Sequence, residues 1–213
     1  MVRDAYPILV PLVVLAVVCV ALAWFWQGFL ILAALPAIAA CFVAYFFRDP
    51  ERVPPADPRL IVAPADGRIV RIEPVATGDG GDTKGGTLVS IFLSIFDVHV
   101  NRSPIAGRIT GVKYQRGSFR VAMDHRASVE NEQNIITVEG ALAKVIFTQI
   151  AGLIARRIVF WKEIGSEVAL GERIGLIKFG SRVDVLLPPN VVVTVRKGEH
   201  VKGGLSVIGN VKL

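Results

Sequence analysis

Two long apolar runs open the chain, separated by a single polar residue, Gln27. Residues 5–26 and 28–47 carry no charged side chain, and each run is long enough for a helix that crosses a hydrocarbon core of about 30 Å. The pattern predicts a membrane-anchoring helical hairpin over residues 1–47 that turns at Gln27-Gly28. A hairpin that dips into one leaflet is the alternative, and in both cases we expect a membrane-bound chain.

A Pro- and charge-rich linker is predicted over residues 48–58, and a different pattern begins after it. Short apolar runs are punctuated by glycine over residues 59–213. The period of half-buried strands recurs in two sets of alternating residues, Thr110, Val112 and Tyr114, and Val183, Val185 and Leu187. Further strands are predicted at residues 67–73, 88–100 and 143–150, a loop at 79–86 and a helix at 122–131. We therefore expect a mainly β, compact barrel-sandwich-like domain with few helices.

A spaced glycine motif occurs twice in this domain. Gly165-x-x-Val168-x-x-Gly171 recurs as Gly198-x-x-Val201-x-x-Gly204, 33 residues later. Glycines at this spacing suit tight corners between short strands, as in domains of the biotinyl/lipoyl kind. No lysine stands at a hairpin tip as a carrier lysine would, so the motif indicates β architecture only.

The net charge of +6 lies on the residues after the apolar runs, because Arg3 and Asp4 are the only charged residues before Arg48. A basic face attracts anionic lipid headgroups, and a merely soluble basic domain is the alternative interpretation. The positive-inside tendency places Arg3, Arg48 and Arg52 in the cytoplasm. No basic motif interleaved with aromatic residues indicates nucleic acid. The two cysteines lie within the apolar runs, and the three histidines lack metal-ligand spacing, so neither a disulfide nor a metal site is predicted.

Two segments place ionisable groups where they could carry chemistry. Asp97 and His99 are two residues apart in a predicted strand, so they share a face on which the carboxylate could orient the imidazole. A histidine at the end of a strand beside a solvated Asp97 is equally consistent with this spacing. Asp66, in Pro64-Ala-Asp66-Gly67, lies at a tight turn, where an aspartate commonly bonds its own backbone.

The segment 177–184 contains a Gly-Ser pair flanked on both sides by strand-like sequence. Glycine at position 180 would let the backbone bend and expose its carbonyl, and Ser181 follows directly. This arrangement permits Ser181 Oγ to attack the Gly180 carbonyl. The flanking strands would then hold both fragments in place after the bond broke.

Six segments together resemble the short form of the phosphatidylserine decarboxylases, a family of lyases, and archaetidylserine decarboxylases are similar. In chain order the segments are Tyr45-Phe-Phe-Arg-Asp-Pro50, Pro64-Ala-Asp-Gly67, Phe96-Asp-Val-His-Val-Asn-Arg-Ser-Pro104, Asn131-Glu-Gln-Asn134, Gly152-Leu-Ile-Ala-Arg-Arg157 and Phe179-Gly-Ser-Arg182. The resemblance implies a zymogen that cleaves itself between Gly180 and Ser181 into chains 1–180 and 181–213. These chains would form a heterodimer, which could oligomerise further.

In this family Ser181 would become a covalent pyruvoyl cofactor. Its ketone would form a Schiff base with the amine of phosphatidylserine and accept electrons as CO2 leaves, which yields phosphatidylethanolamine. The implied partners are therefore an anionic aminophospholipid and the membrane.

The resemblance also implies roles for individual residues. Asp66 matches an acidic position that assists self-cleavage, and His99 matches a histidine linked to proton transfer. The longer relatives have a second histidine where Arg102 stands, and Leu-Gly-Ser-Thr where this chain has Phe179-Gly-Ser-Arg182, so an Asp-His-Ser relay is not transferred. The candidates for binding the lipid phosphate are Arg102, Arg156 and Arg157.

Two other functional classes are compatible with parts of the pattern. A non-enzymatic membrane adaptor with a lipoyl-like β domain would not cleave itself. A membrane-bound serine peptidase with a Ser/Lys or Ser/His pair would cleave other proteins and respond to serine-directed inhibitors. A pyruvoyl enzyme would instead be inactivated by carbonyl reagents.

Overall fold

The computed structural model describes residues 1–75, 85–117, 131–152, 157–178 and 181–212. The chain divides into two compact units, residues 1–51 and residues 52–213. Arg52, which the sequence analysis assigned to the linker, belongs to the second unit.

The first unit is the predicted helical hairpin. Helix α1 spans Tyr6–Leu22 after a single 3-10 turn at Arg3–Ala5, and helix α2 spans Gly28–Phe46. The two ends of the hairpin meet where Val2 N–H donates to the Phe47 carbonyl, at 3.1 Å. One face of α2 is buried, at positions three or four apart: Ala33, Pro36, Ala40, Val43 and Phe46. Most other apolar side chains of the hairpin are exposed, and both helices are long and apolar enough to cross a membrane.

The second unit is mainly β, as predicted, and its strands pair antiparallel. In chain order they are β1 Leu60–Val62, β2 Gly67–Val75, β3 Gly86–Leu93, β4 Val100–Arg102, β5 Gly107–Gln115, β6 Gln133–Glu139, β7 Lys144–Ala151, β8 Ile158–Phe160, β9 Glu167–Val168, β10 Arg173–Ile177, β11 Ser181–Leu187, β12 Val191–Val193, β13 His200–Val201 and β14 Val207–Val211. A curled eight-stranded sheet forms half a barrel in the order β13-β2-β3-β11-β7-β6-β5-β9. Two three-stranded sheets, β1-β14-β12 and β4-β10-β8, complete the unit.

The glycine motif belongs to a larger internal duplication. Strands β4–β10 form one copy, which we call the continuous copy, and β1–β3 together with β11–β14 form the split copy. Each copy contributes one three-stranded sheet and one half of the large sheet, and the two halves meet at β7 and β11. Hydrogen bonds repeat between the copies with exchanged partners: Arg102 N–H donates to the Pro64 carbonyl at 2.8 Å, and Val62 N–H donates to the Pro104 carbonyl at 3.0 Å. Position n of β1 thus corresponds to position n + 40 in β4.

Some predicted elements differ from the structure. Residues 88–100 are not one strand, because β3 ends at Leu93 and a turn precedes β4. The turn is stabilised by the Asp97 carboxylate, which accepts hydrogen bonds from Ser94 N and Oγ, both at 2.8 Å. The predicted helix at 122–131 lies outside the described residues except for Asn131, which forms a β-bridge, and most of the predicted loop at 79–86 also lies outside them.

Candidate functional site

Ser181 begins β11, a central strand of the large sheet. It pairs with Leu93 on β3 and with Ala151 on β7, and it is fully buried. Because side chains alternate along a strand, Ser181 lies on the same face as Val183 and Val185, which belong to the hydrophobic core. Its Oγ has no hydrogen-bond partner among the described residues. Gly180, the predicted partner in the cleavage site, lies outside them.

His99 is 2 % exposed and leads directly into β4. Its Nδ1 lies 2.9 Å from the backbone carbonyl of Asp97. A carbonyl can only accept, so Nδ1 carries the proton and Nε2 is the basic nitrogen in the neutral ring. The His99 carbonyl accepts a 3.4 Å hydrogen bond from Ile177, the last residue of β10 and four residues before Ser181. The fold therefore brings the backbone of His99 to the segment that leads into Ser181.

The predicted arrangement of Asp97 and His99 on one face of a strand is wrong. The two residues do not share the face of a strand, because Asp97 ends the turn after β3. The backbone carbonyl of Asp97, rather than a shared strand face, links it to His99. The Asp97 carboxylate contacts His200 Nε2 at 3.0 Å, in addition to Ser94.

Asp66 forms a buried, bidentate ion pair with Arg52. Arg52 NH2 donates to Oδ2 at 2.8 Å, NH1 donates to Oδ1, and the side chains of Arg52 and Asp66 are 6 % and 9 % exposed. Gly203 N–H also donates to Oδ1, at 2.8 Å. The turn continues through Gly67, whose φ of +147° and close approach to the Phe92 carbonyl leave no room for a Cβ atom.

Asp66 and Ser181 are not on neighbouring strands. Asp66 precedes β2, and β3 separates β2 from β11, which corresponds to roughly 10 Å of sheet. The turn that contains Asp66 is connected instead to the strand that follows His99, through the hydrogen bond from Arg102 N to Pro64 O.

The predicted phosphate-binding arginines occupy different environments. Arg102 is 3 % exposed, and its NH1 donates to the Gly171 carbonyl at 3.1 Å. Arg157 is exposed, and its carbonyl accepts a hydrogen bond from Lys178 N at 3.2 Å. Arg156 lies outside the described residues. Of the two described arginines, Arg157 is the one that is accessible from the surface.

Two groups of buried polar residues near Ser181 were not predicted from the sequence. Arg182 and Asp184 form an ion pair on the opposite face of β11, with Arg182 Nε 2.9 Å from Asp184 Oδ1. On the core side, amide side chains are hydrogen-bonded together: Asn101, Asn134 and Gln149. The available signal was Gln149, a polar residue within the otherwise mostly apolar run 143–150.

Comparison with known proteins identifies the family. The family model described as "Phosphatidylserine decarboxylase" matches residues 39–209. A phosphatidylserine decarboxylase proenzyme of Solibacter usitatus (strain Ellin6076) is 56 % identical over 178 residues, which cover 83 % of each chain. Proenzymes of the same name from Wolbachia pipientis wMel and Geobacter metallireducens are 44 % and 41 % identical, covering 98 % and 97 % of this chain and 90 % and 94 % of the relatives. The six segments and their order along the chain therefore have their explanation in common descent, and this chain belongs to the phosphatidylserine decarboxylase family.

Proposed function

We propose that this chain is a self-cleaving proenzyme that decarboxylates phosphatidylserine to phosphatidylethanolamine at a membrane. The observation that carries the proposal is Ser181, whose fully buried hydroxyl has no hydrogen-bond partner among the described residues. A buried hydroxyl without a partner costs free energy, and the position of this one directly after Gly180, at the start of a central strand, supports a reactive role. The curated relatives bear the name proenzyme, which supports a processing step.

In the first reaction Ser181 Oγ attacks the carbonyl carbon of Gly180. The C–N bond breaks, the hydroxyl proton passes to the Ser181 nitrogen, and an ester replaces the amide. Removal of the Ser181 α-proton then expels the Gly180 carboxylate from Cβ and leaves a dehydroalanine at position 181. Water converts this residue to a pyruvoyl group and ammonia.

The pairing of the strands explains how the two chains stay together. After cleavage the chain 181–213 would keep β11 between β3 and β7 of the larger chain. Its strands β13 and β14 would also remain paired, with β2 and β1 respectively. Severing the bond just before β11 would therefore remove no strand pairing, and we expect a stable heterodimer.

The surroundings of position 181 fit a pyruvoyl group, because a small, buried residue on the core face is shielded from bulk water. Such a group would supply a ketone to bind the substrate amine and to accept the electron pair left on the substrate when CO2 departs. The chain's own contribution is positioning and proton transfer. His99 is assigned to the proton transfer, with Nε2 as the nitrogen that gains and loses the proton while Nδ1 is held by the Asp97 carbonyl.

The first unit and the charge of the chain support the proposed substrate and location. The hairpin would anchor the enzyme where an anionic aminophospholipid is found, and the basic character of the chain favours that charge. Arg3 and Arg48 at the ends of the hairpin favour a cytoplasmic orientation. Arg157 is the exposed candidate for the lipid phosphate.

Mass measurement under denaturing conditions tests the proposal. The purified full-length protein should give two chains, the smaller one beginning with a pyruvoyl group at position 181, and should release CO2 from phosphatidylserine vesicles. The Ser181→Ala variant should remain a single chain without activity. An active preparation that contains only the intact polypeptide would refute the proposal.

A further inference from the structure

Three buried amide side chains form a hydrogen-bonded series with a fixed direction. Asn134 Nδ2 donates to Gln149 Oε1 at 3.3 Å, and Gln149 Nε2 donates to Asn101 Oδ1 at 2.8 Å. The series ends at the Nδ2 group of Asn101, which has no partner among the described residues although Asn101 is fully buried. Gln149 thus fixes the amide so that a strong donor is available inside the protein.

This donor lies on the same side of the large sheet as Ser181. Gln149 is opposite Val183 on the neighbouring strand, and Ser181 is the next residue of β11 on the same face. Diagonal neighbours of this kind are about 7–8 Å apart, within reach of one amide side chain. Asn101 also pairs with Gly175 on β10, the strand that leads toward Ser181. Two buried polar groups without partners, Asn101 Nδ2 and Ser181 Oγ, therefore occupy the same side of the sheet.

The internal duplication shows that the fold itself does not need an amide at position 101. The equivalent residue in the split copy is Ile61, which is also fully buried and belongs to the hydrophobic core. The same backbone position thus accepts an apolar side chain. An asparagine with an unused donor at this position calls for a chemical explanation.

We propose that Asn101 is a catalytic residue of self-cleavage, a proposal that rests on the function proposed above. When Ser181 Oγ bonds to the carbonyl carbon of Gly180, the π electrons of that carbonyl move onto its oxygen. The Nδ2–H group of Asn101 donates to this oxyanion and stabilises it until the C–N bond breaks and the carbonyl re-forms. No other reactant is consumed. Gln149 is a positioning residue, because it acts through Asn101.

Removal of one oxyanion donor typically slows acyl transfer by about 10²- to 10³-fold. Asn101→Asp keeps the shape and the acceptor for Gln149 but lacks the N–H group, and Asn101→Ile copies the equivalent residue of the other copy. Both variants should lower the rate of self-cleavage by about 10²-fold or more. Gln149→Glu leaves Asn101 in place but removes the N–H that orients it, and it should give a smaller decrease.

The experiment follows full-length chains made by cell-free translation in the presence of phospholipid vesicles. After a short radioactive pulse, the conversion to chains 1–180 and 181–213 is timed by gel electrophoresis. Ser181→Ala provides the uncleaved reference. Ser90→Ala is the matched control, because Ser90 Oγ is also buried without a partner but lies on the opposite face of the sheet, paired with Asp184. We expect Ser90→Ala to be cleaved at the wild-type rate.

Hydroxylamine identifies the step that is affected. Samples are denatured at each time and treated with hydroxylamine, which splits an ester at position 181 but not an amide. Uncleaved Asn101 variants should resist hydroxylamine, because the defect precedes ester formation. Splitting of these chains by hydroxylamine would show that the ester forms without the donor and would overturn the proposal.

Other outcomes are equally decisive. Cleavage of Asn101→Asp and Asn101→Ile at the wild-type rate would overturn the role of Asn101 while leaving the proposed function intact, whereas a wild-type chain that is active without cleavage would overturn the proposed function itself. Thermal unfolding of each variant is measured in the Ser181→Ala background. If Asn101→Ile fails to fold, Asn101→Asp and Gln149→Glu still decide the question, and a wild-type rate in both would count against the proposal.

Discussion

The buried ion pair between Arg52 and Asp66 should contribute strongly to stability when one partner alone is removed. The Asp66 side chain is 9 % exposed, and Arg52→Met removes its guanidinium partner while the hydrogen bond from Gly203 N–H stays in place. Breaking a buried pair in this way typically costs about 3–5 kcal/mol, whereas replacement of both partners by apolar residues is often close to neutral. A domain of this size has a total stability of about 5–15 kcal/mol, so the single substitution removes a large part of it.

A double-mutant cycle measures this effect. Arg52→Met, Asp66→Leu and the double variant are compared by denaturant unfolding of the full chain in detergent, in the Ser181→Ala background so that every sample is a single chain. We expect each single variant to lose about 3–5 kcal/mol and the double variant to lose much less than their sum. Losses below about 1 kcal/mol in both single variants, as for a surface pair, would refute the assignment of a buried, mutually dependent pair.

The same double variant tests the predicted role of Asp66 in self-cleavage. With Ser181 restored, a folded chain that lacks both Arg52 and Asp66 reports on the chemistry separately from the stability of the turn. The turn that contains Asp66 is hydrogen-bonded to the strand that follows His99. We therefore expect the variant to cleave at least about tenfold more slowly than wild type. Loss of acid–base assistance usually slows a reaction by about 10²- to 10⁴-fold. A wild-type cleavage rate in this folded variant would limit Asp66 to a structural role.

Three further predictions concern the β corners and the surface. Gly204→Ala should lower the melting temperature more than Gly198→Ala, because both have positive φ (+76° and +92°) but only at Gly204 would the new Cβ meet neighbours, at 2.8 Å. Burial raises the pKa of Glu172, but the Lys162 ammonium and a backbone N–H outweigh burial and hold the pKa below its usual value of 4.5. This stabilisation is present above 4.5 and is lost as pH falls through the lower folded pKa, so the difference in melting temperature between wild type and Glu172→Gln should shrink in acid. Arg157→Glu should leave self-cleavage unchanged and raise the KM for phosphatidylserine vesicles about tenfold, as measured by CO2 release.

The sequence predicted strands well where the sheet is regular. Val183, Val185 and Leu187 were predicted to share a face, and all three are fully buried in the core. The same reasoning was wrong only for Thr110 in the set Thr110, Val112 and Tyr114. A register shift between Ile109 and Gly111 inserts an extra residue, so Ile109 rather than Thr110 contacts the core together with Val112. Val112 and Tyr114 lie beyond the shift in regular pairing and share a face, as predicted. A bulge depends on the partner strand, which periodicity along one segment does not describe.

The candidate site likewise contains some residues that local sequence indicates and others that only the pairing of the sheets brings together. Ser181 could be singled out from its Gly-Ser context and His99 from its motif, because both signals lie within a few consecutive residues. The amide series could not be predicted, because Asn101 and Gln149 are 48 residues apart and meet only through the pairing of the sheets. The ion-pair partner of Asp66 was hidden for a similar reason, since Arg52 resembled a solvated linker residue.

The internal duplication is consistent with the proposed location of the chemistry in this fold. The two copies share strand order, register and bulges, so residue differences between equivalent positions are not required by the strand arrangement. Two such differences adjoin each other: Ile61 corresponds to Asn101 and Val62 to Arg102, an apolar residue replaced in each case by a buried polar one. The continuous copy also ends just before Ser181, where the chain returns to the split copy. The bond proposed to react follows the continuous copy, where the two copies pair through β7 and β11, so cleavage there would leave the described strand pairs in place. Asn101, the residue proposed to assist this cleavage, is one of the positions at which the two copies differ.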